Sequence, residues 1–296
     1  QKVTMKENTL EEIRIRIGQP VIFHMENEEW YLKKETGRLE RSQVNAYCAT
    51  KEDIKSMVKF ISSYSLYAYE DEMKRGFITM QGGHRIGVAG QVVMDGGKVL
   101  SLSNIYFLNI RVAREKRGCA KDIIPYLIHR NNIYNTLFVS PPGIGKTTYL
   151  RDAIRILSNG SDRLHGMKIS IIDERSEIAA CRQGIPQNDI GIRSDVLDGC
   201  LKSFGMLLML RSMAPQIIAV DEIGSREDCR AMEQAIYSGS RIIGTVHAYD
   251  MKELSRKKYL KEMLEQQMFG RIVLLEKAEN GRRRFHIYDE NLEKIC

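Results

Sequence analysis

No two of the six cysteines, Cys48, Cys119, Cys181, Cys200, Cys229 and Cys296, form a Cys-x-x-Cys pair. The spacing of a structural zinc site is therefore missing, and the scatter fits reduced thiols in a cytosolic protein. No apolar run approaches the roughly 20 residues that a membrane-spanning helix needs. The polar start, Gln1-Lys2-Val3-Thr4-Met5-Lys6, does not read as a signal peptide. Internal repeats and low-complexity tracts are absent. So is the interleaving of basic and aromatic residues that grips single-stranded nucleic acid. What is present is the composition of a soluble globular protein, 43% hydrophobic and 28% charged over 296 residues. That length suggests about two domains. The net charge of +7 leaves contact with nucleic acid or an anionic surface open. The basic residues are scattered, however. Only Arg256-Lys257-Lys258 and Arg282-Arg283-Arg284 form blocks, and each reads more readily as a solvated face than as a binding patch.

Two patterns divide the chain near Arg117-Gly118. Residues 1–117 read as a smaller α+β module. Ile13, Ile15 and Ile17 alternate with charged residues as in a half-buried strand, and Glu29-Trp30-Tyr31-Leu32 reads as another. Thr50 opens a helix with Asp53 as its capping partner, followed by Ile54, Met57, Val58 and Ile61 on one face. A second helix is expected from Leu66 to Lys74. Turns are expected at Gly82-Gly83 and Asp95-Gly96-Gly97. Residues 118–296 alternate strands with helical patterns, beginning with a helix from Lys121 to Arg130. The runs Leu137-Phe138-Val139, Ile169-Ser170-Ile171-Ile172, Ile217-Ile218-Ala219-Val220 and Ile242-Ile243-Gly244-Thr245-Val246 are short, apolar and bounded. They fit an α/β fold with a mainly parallel sheet covered on both faces. A charged helical segment follows Tyr249 to about Met268, and a terminal hairpin turns at Asn280-Gly281.

The chemistry begins at Ser140-Pro141-Pro142-Gly143-Ile144-Gly145-Lys146-Thr147-Thr148, which follows a buried strand and opens an amphipathic helix. Glycines let backbone N–H groups converge on an anion, and the helix adds its positive end. This is a phosphate-binding loop of the type Gly-x-x-x-x-Gly-Lys-[Ser/Thr], with Ser140 in place of the first glycine. The candidate nucleotide-binding set is Pro142, Gly143, Ile144, Gly145, Lys146, Thr147, Thr148 and Asp221. ATP and Mg²⁺ are the implied ligands, with Thr147, Asp221 and Asp173 as candidate metal residues.

In an open α/β sheet the ligand sits at the carboxyl ends of the strands. Those ends carry Asp173-Glu174-Arg175, Asp221-Glu222, and Thr245 with His247. Ile217 to Glu222 reads as a Walker B strand, in which Asp221 serves the metal and Glu222 orients and deprotonates water. Asp173, Glu174 and Glu177 either help position the metal or water, or pair with Arg175 or Arg182, or cap the following helix. Glu174 and His247 join Lys146 and Glu222 as candidate catalytic residues. Further positive charge at the γ-phosphate is expected from Arg85, Arg111 or Arg114 of the first module.

The order of phosphate loop, acidic box Ile172-Asp173-Glu174-Arg175-Ser176-Glu177, Walker B and histidine box Gly244-Thr245-Val246-His247-Ala248 resembles the secretion ATPase superfamily. Ser63 to Glu72, Gly76 to Thr79, Gln81 to Gly87, Asn109 to Glu115 and Ser194 to Cys200 resemble the stage III sporulation protein AA family more closely. The resemblance implies a RecA-like ATPase core behind a smaller N-terminal domain. It also implies an ATP-hydrolysing, Mg-dependent motor working as a homohexamer in the mother-cell cytoplasm of an endospore former. Such a motor would act at the inner face of the membrane through membrane proteins of the mother cell–forespore channel, energising its assembly or transport through it. No nucleic-acid partner is implied; the other reading of the residues is a nucleic-acid-dependent RecA-like ATPase. Two positions depart from the secretion motors: many have Gly where Asp221 stands, and Pro where this chain has Arg175.

Overall fold

Alternation at Ile13 and Ile15 builds β1 (Leu10–Arg16), with Ile15 buried against the core. The computed structural model describes residues 10–25, 28–61, 69–74, 76–161, 164–278 and 283–296. The expected start of a helix at Leu66, the expected turn at Asn280-Gly281, Arg282 and the N-terminal hexapeptide lie outside the described residues. The chain divides into two compact units, Gln1–Arg114 and Glu115–Cys296.

In the first unit β1 pairs with β2 (Ile22–Met25), which leads to β3 (Glu28–Leu32) and β4 (Leu39–Glu40). On the other side of β1 lie β7 (Lys98–Arg111), β6 (Arg85–Asp95) and β5 (Phe77–Thr79). The sheet order is β4-β3-β2-β1-β7-β6-β5, antiparallel throughout. The two expected glycine turns join β5 to β6 and β6 to β7. Helix α1 (Lys51–Ile61) begins with the expected reciprocal cap, in which Thr50 N donates to Asp53 Oδ2 at 2.8 Å and Asp53 N donates to Thr50 Oγ1 at 3.2 Å. Its Ile54, Val58 and Ile61 pack with Ile78, Ile86, Val88 and Leu108 of the sheet. The described part of the second helix is α2 (Glu70–Lys74).

The second unit opens differently from expectation. Only α3 (Ile124–Leu127) is helical in the stretch read as a helix from Lys121 to Arg130. The chain then enters β8 (Ile128–His129) and returns as β9 (Asn132–Ile133), turning at Arg130 with φ 54°. Burial of Leu127 and Ile133 against the core outweighs helical propensity here.

A seven-stranded sheet follows. Its strands are β10 (Thr136–Ser140), β11 (Ile169–Asp173), β12 (Ser194–Asp198), β13 (Ile217–Val220), β14 (Arg241–His247), β15 (Arg271–Lys277) and β16 (Arg283–Tyr288). They lie in the order β12-β11-β13-β14-β10-β15-β16. All neighbours are parallel except β16, which runs back along β15. β10, β11 and β13 are buried along their whole length, as a sheet covered on both faces requires. One face, with Phe138, Ile171, Ala219 and Val273, packs on α4 (Lys146–Asn159) through Leu150, Ala153, Ile154 and Leu157. The other, with Val139, Ile172, Val220 and Val246, packs on α5 (Lys202–Met213) and α6 (Arg226–Tyr237). A Cβ on Gly205 would stand 2.7 Å from Ile172 Cγ2, so the absence of a side chain lets α5 seat against β11. The segment after Tyr249, read as one helix, is broken into α7 (Met251–Ser255) and α8 (Lys261–Glu265). It bends so that Leu254, Leu260 and Met263 are all buried.

Candidate active site

Register alone collects the polar strand tips. Ser140 lies opposite His247 across β10 and β14, while Val220 lies opposite both Ile172 and Gly244. The residues that follow, Asp173 and Asp221, therefore emerge at the same edge as the loop after β10. One strand, β14, stands between the phosphate-loop strand β10 and β13. His247 is thereby placed between Lys146 and Glu222.

The loop reaches α4 through Gly143 and Gly145, at φ 78° and 106°. The N-cap of α4 is Gly145, and among the described residues no side-chain cap bond is made there, so the first N–H groups are available to an anion. Lys146, 5% exposed, folds into the loop and donates to the carbonyls of Ser140 at 3.2 Å and Pro141 at 3.4 Å. Its Nζ also lies 2.8 Å from His247 Nδ1. Burial lowers the pKa of Lys146, opposed by the charges of Asp221 and Glu222.

A protonated lysine has only donors, so His247 Nδ1 accepts. Its Nε2 then carries the proton and donates to Glu222 Oε1 at 3.0 Å. Arg175 Nη1 donates to the other carboxylate oxygen of Glu222 at 2.7 Å. Burial pushes the Glu222 pKa up, but the hydrogen bond from His247 and the charges of Arg175 and Lys146 outweigh it and hold the carboxyl below its ordinary range. The Glu222 backbone sits at φ 51°, a left-handed conformation uncommon outside glycine. Its N–H is anchored at 2.8 Å by Thr245 Oγ1.

Thr147 Oγ1 donates to Asp221 Oδ2 at 2.6 Å, and Thr245 Oγ1 donates to Asp221 Oδ1. The hydroxyl and the carboxylate form a hard oxygen set of the kind Mg²⁺ prefers. Beside Glu222 opens a cleft of about 460 Å³ lined by Glu174, Lys202, Asp228, His247 and Tyr259 among others.

Asp173 is engaged by its own backbone. It is 1% exposed, and both carboxylate oxygens are taken by backbone N–H groups. Glu177 donates to Oδ1 at 2.7 Å, while Ile178 and Ala179 donate to Oδ2 at 3.0 and 2.8 Å. Three backbone N–H groups thus hold the carboxylate of Asp173 in the turn that follows β11; the next element is β12, so it caps no helix. Burial, and secondarily Asp198, raise its pKa to about 6 against those three hydrogen bonds. Glu174 is held by an ion pair to Lys202, a partner that sequence alone did not single out. In the first unit Arg111 ends β7, and Arg114 lies beyond the strand, donating to the Leu10 carbonyl at 2.7 Å. Arg85 stacks over the Phe77 ring at 3.5 Å.

The family model described as Sporulation stage III, protein AA matches residues 1–295. The chain belongs to this family. It is 40% identical over 282 residues to stage III sporulation protein AA of Bacillus subtilis (strain 168), covering 95% of this chain and 87% of that protein. The pilus retraction motor PilT with bound ADP superposes with a TM-score of 0.62 at 17% identity, over 94% of this chain and 78% of that one. The Legionella pneumophila ATPase DotB gives 0.56 at 17% identity, over 94% and 76%. At such identity these likenesses establish the fold, that of P-loop secretion ATPases with an N-terminal domain and an ATPase core. In this member of the sporulation family, Asp221 and Arg175 both make close contacts in the site.

Proposed function

We propose that this chain is a Mg-dependent ATPase that drives a sporulation-stage machine, assembling or feeding the mother cell–forespore channel. The observation that carries the reading is the line Lys146–His247–Glu222, which ties the phosphate loop to the carboxylate at the tip of β13, across the intervening strand β14. Secretion-type folds and a sporulation family point the same way.

The residues divide the work. N–H groups of the loop and the start of α4 receive the phosphates. To reach a phosphate, Lys146 must release the Ser140 and Pro141 carbonyls and His247 Nδ1. His247 is then free to turn toward the new anion, so arrival of the nucleotide is felt at Glu222. Glu222 holds the attacking water and takes its proton. Phosphoryl transfer relies more on such positioning and on electrostatics than on a strong base, which suits a carboxyl of lowered pKa. Thr147 and Asp221 would hold Mg²⁺, which when bound neutralises charge on the phosphate oxygens. Glu174 and Lys202 flank the cleft.

The working form is a homohexamer recruited to the membrane through partner proteins. Among the described residues no helix is long and apolar enough to cross a membrane. ATPase rate measured against protein concentration, with mass determined in parallel, tests this. Specific activity should rise as the assembly forms. A rate per chain that stays flat while the mass changes would contradict an assembly-dependent site.

A further inference from the structure

The C-terminal hairpin brings a cation onto the phosphate loop. Along β16 the side chains alternate: Phe285 and Ile287 pack into the core on the α4 side of the sheet. The two-residue period of a strand places Arg283 on the same face. Arg283 begins the strand, paired in register with Lys277. Its guanidinium lies over Gly145. A Cβ on that glycine would stand 3.1 Å from Cζ, 3.1 Å from Nη2 and 3.2 Å from Nη1. Three nearly equal distances mean that the planar group lies flat against the loop. Gly145 is favoured by its φ of 106°, and the guanidinium, the end of a flexible side chain, rests on the face where a side chain would otherwise stand. Among the described residues no carboxylate forms an ion pair with Arg283. The cation thus rests on a loop built for anions with its charge unspent.

We propose that Arg283 is a phosphate-binding residue of the nucleotide site, supplied by the hairpin of the same chain. This rests on the nucleotide-binding reading above. Arginine suits the task because its fork offers paired donors to two phosphate oxygens, which a lysine cannot match. The block Arg282-Arg283-Arg284 is then not uniform. Arg283 faces the loop, whereas Arg284 lies on the opposite side of the strand.

Calorimetric titration of the full chain with MgATP, pyrophosphate and adenosine tests the assignment, using the parent, Lys146→Ala, Arg283→Gln and Arg283→Lys. Arg283→Gln should weaken ATP and pyrophosphate alike, by about tenfold or more, as expected for loss of a charge-assisted contact. Arg283→Lys should fall between parent and Arg283→Gln, and the melting temperature without ligand should not move. Failure of the parent to bind ATP would sink the nucleotide reading itself. If the parent binds, Lys146→Ala does not, and Arg283→Gln matches the parent within twofold, only the role of Arg283 falls. Weakening confined to ATP, with pyrophosphate unaffected, would assign Arg283 to the nucleoside and overturn the phosphate contact.

Discussion

Arg175 and Glu222 form an ion pair of 2.7 Å at the mouth of the cleft, from strand tips that are neighbours in the sheet. Arg175 is 63% exposed, so the pair adds at most about 1 kcal/mol to stability. Its effect should appear in the chemistry instead. Glu222 must be ionised to take a proton, so activity falls as pH drops through its pKa. Arg175→Ala removes a positive neighbour and lets that pKa rise. The acid limb of the pH–rate profile should therefore move to higher pH, while Arg175→Lys should leave it near the parent position. Superimposable acid limbs for parent and Arg175→Ala would show that the pair does not tune the base.

Lys146 and Glu222 sit at opposite ends of the His247 bridge and should fail differently. Lys146→Ala should abolish ATP binding, measured directly. Glu222→Gln keeps size and hydrogen bonding but cannot accept the proton. It should bind ATP as the parent does and turn over at least about 100-fold more slowly. Parent-like turnover in Glu222→Gln would move the base elsewhere, with Glu174 the next carboxylate in the cleft.

Asp221 is expected to act through the metal. Asp221→Asn preserves shape and removes the charge beside Thr147. The Mg²⁺ concentration for half-maximal ATPase activity should rise about 10-fold or more, with little change in ATP binding measured in EDTA. A metal requirement equal to the parent's would remove Asp221 from the metal site.

Asp173 makes a prediction about stability. Its carboxyl has an ordinary pKa of 3.8 and a folded pKa of about 6, so the folded protein holds the proton more tightly than the unfolded chain between those values. The contribution of this group to stability is fully present below about pH 4, falls as pH rises toward 6, and is level above that. Asp173→Asn should erase this slope in denaturant titrations between pH 4 and 6. It should also cost about 1–3 kcal/mol at pH 7, because the amide presents an N–H₂ where backbone N–H groups already point. An unchanged pH slope in the variant would mean that another group titrates.

Local patterns made much of the second unit legible. Four of its six mutually parallel strands are short apolar runs, and the phosphate loop marks the edge where they end. The cap of α1 and the glycine turns were equally readable, because each depends on a few adjacent residues. β12 was not read as a strand: Ser194–Asp198 carries three polar residues in five and borders only β11. An edge strand needs less apolar surface and leaves a weaker trace. Lys121 to Arg130 misled for the opposite reason, since its apolar spacing suits a helix although burial around Ile133 favours a tight hairpin.

Asp173 shows why strand-end carboxylates cannot be sorted by position alone. Asp173 and Asp221 both follow buried apolar strands. The chain after Asp173 turns back through Ser176 and Ala180, at φ 52° and 50°, and directs three N–H groups at one carboxylate. The chain after Asp221 leads into α6, and its carboxylate faces Thr147 instead. That difference resides in backbone paths which no spacing encodes.

Composition, apolar alternation and the loop from Ser140 to Thr148 by themselves determined a two-part α/β protein with an anion site at the start of one helix. Those features act over a few residues, where glycine conformations, strand period and helix ends are local physics. Tertiary structure alone decided which charges meet. Only the strand order puts His247 between Lys146 and Glu222, and only the return of β16 lays Arg283 on Gly145. Such contacts join residues far apart in the chain, and their geometry exists only once the sheet has assembled.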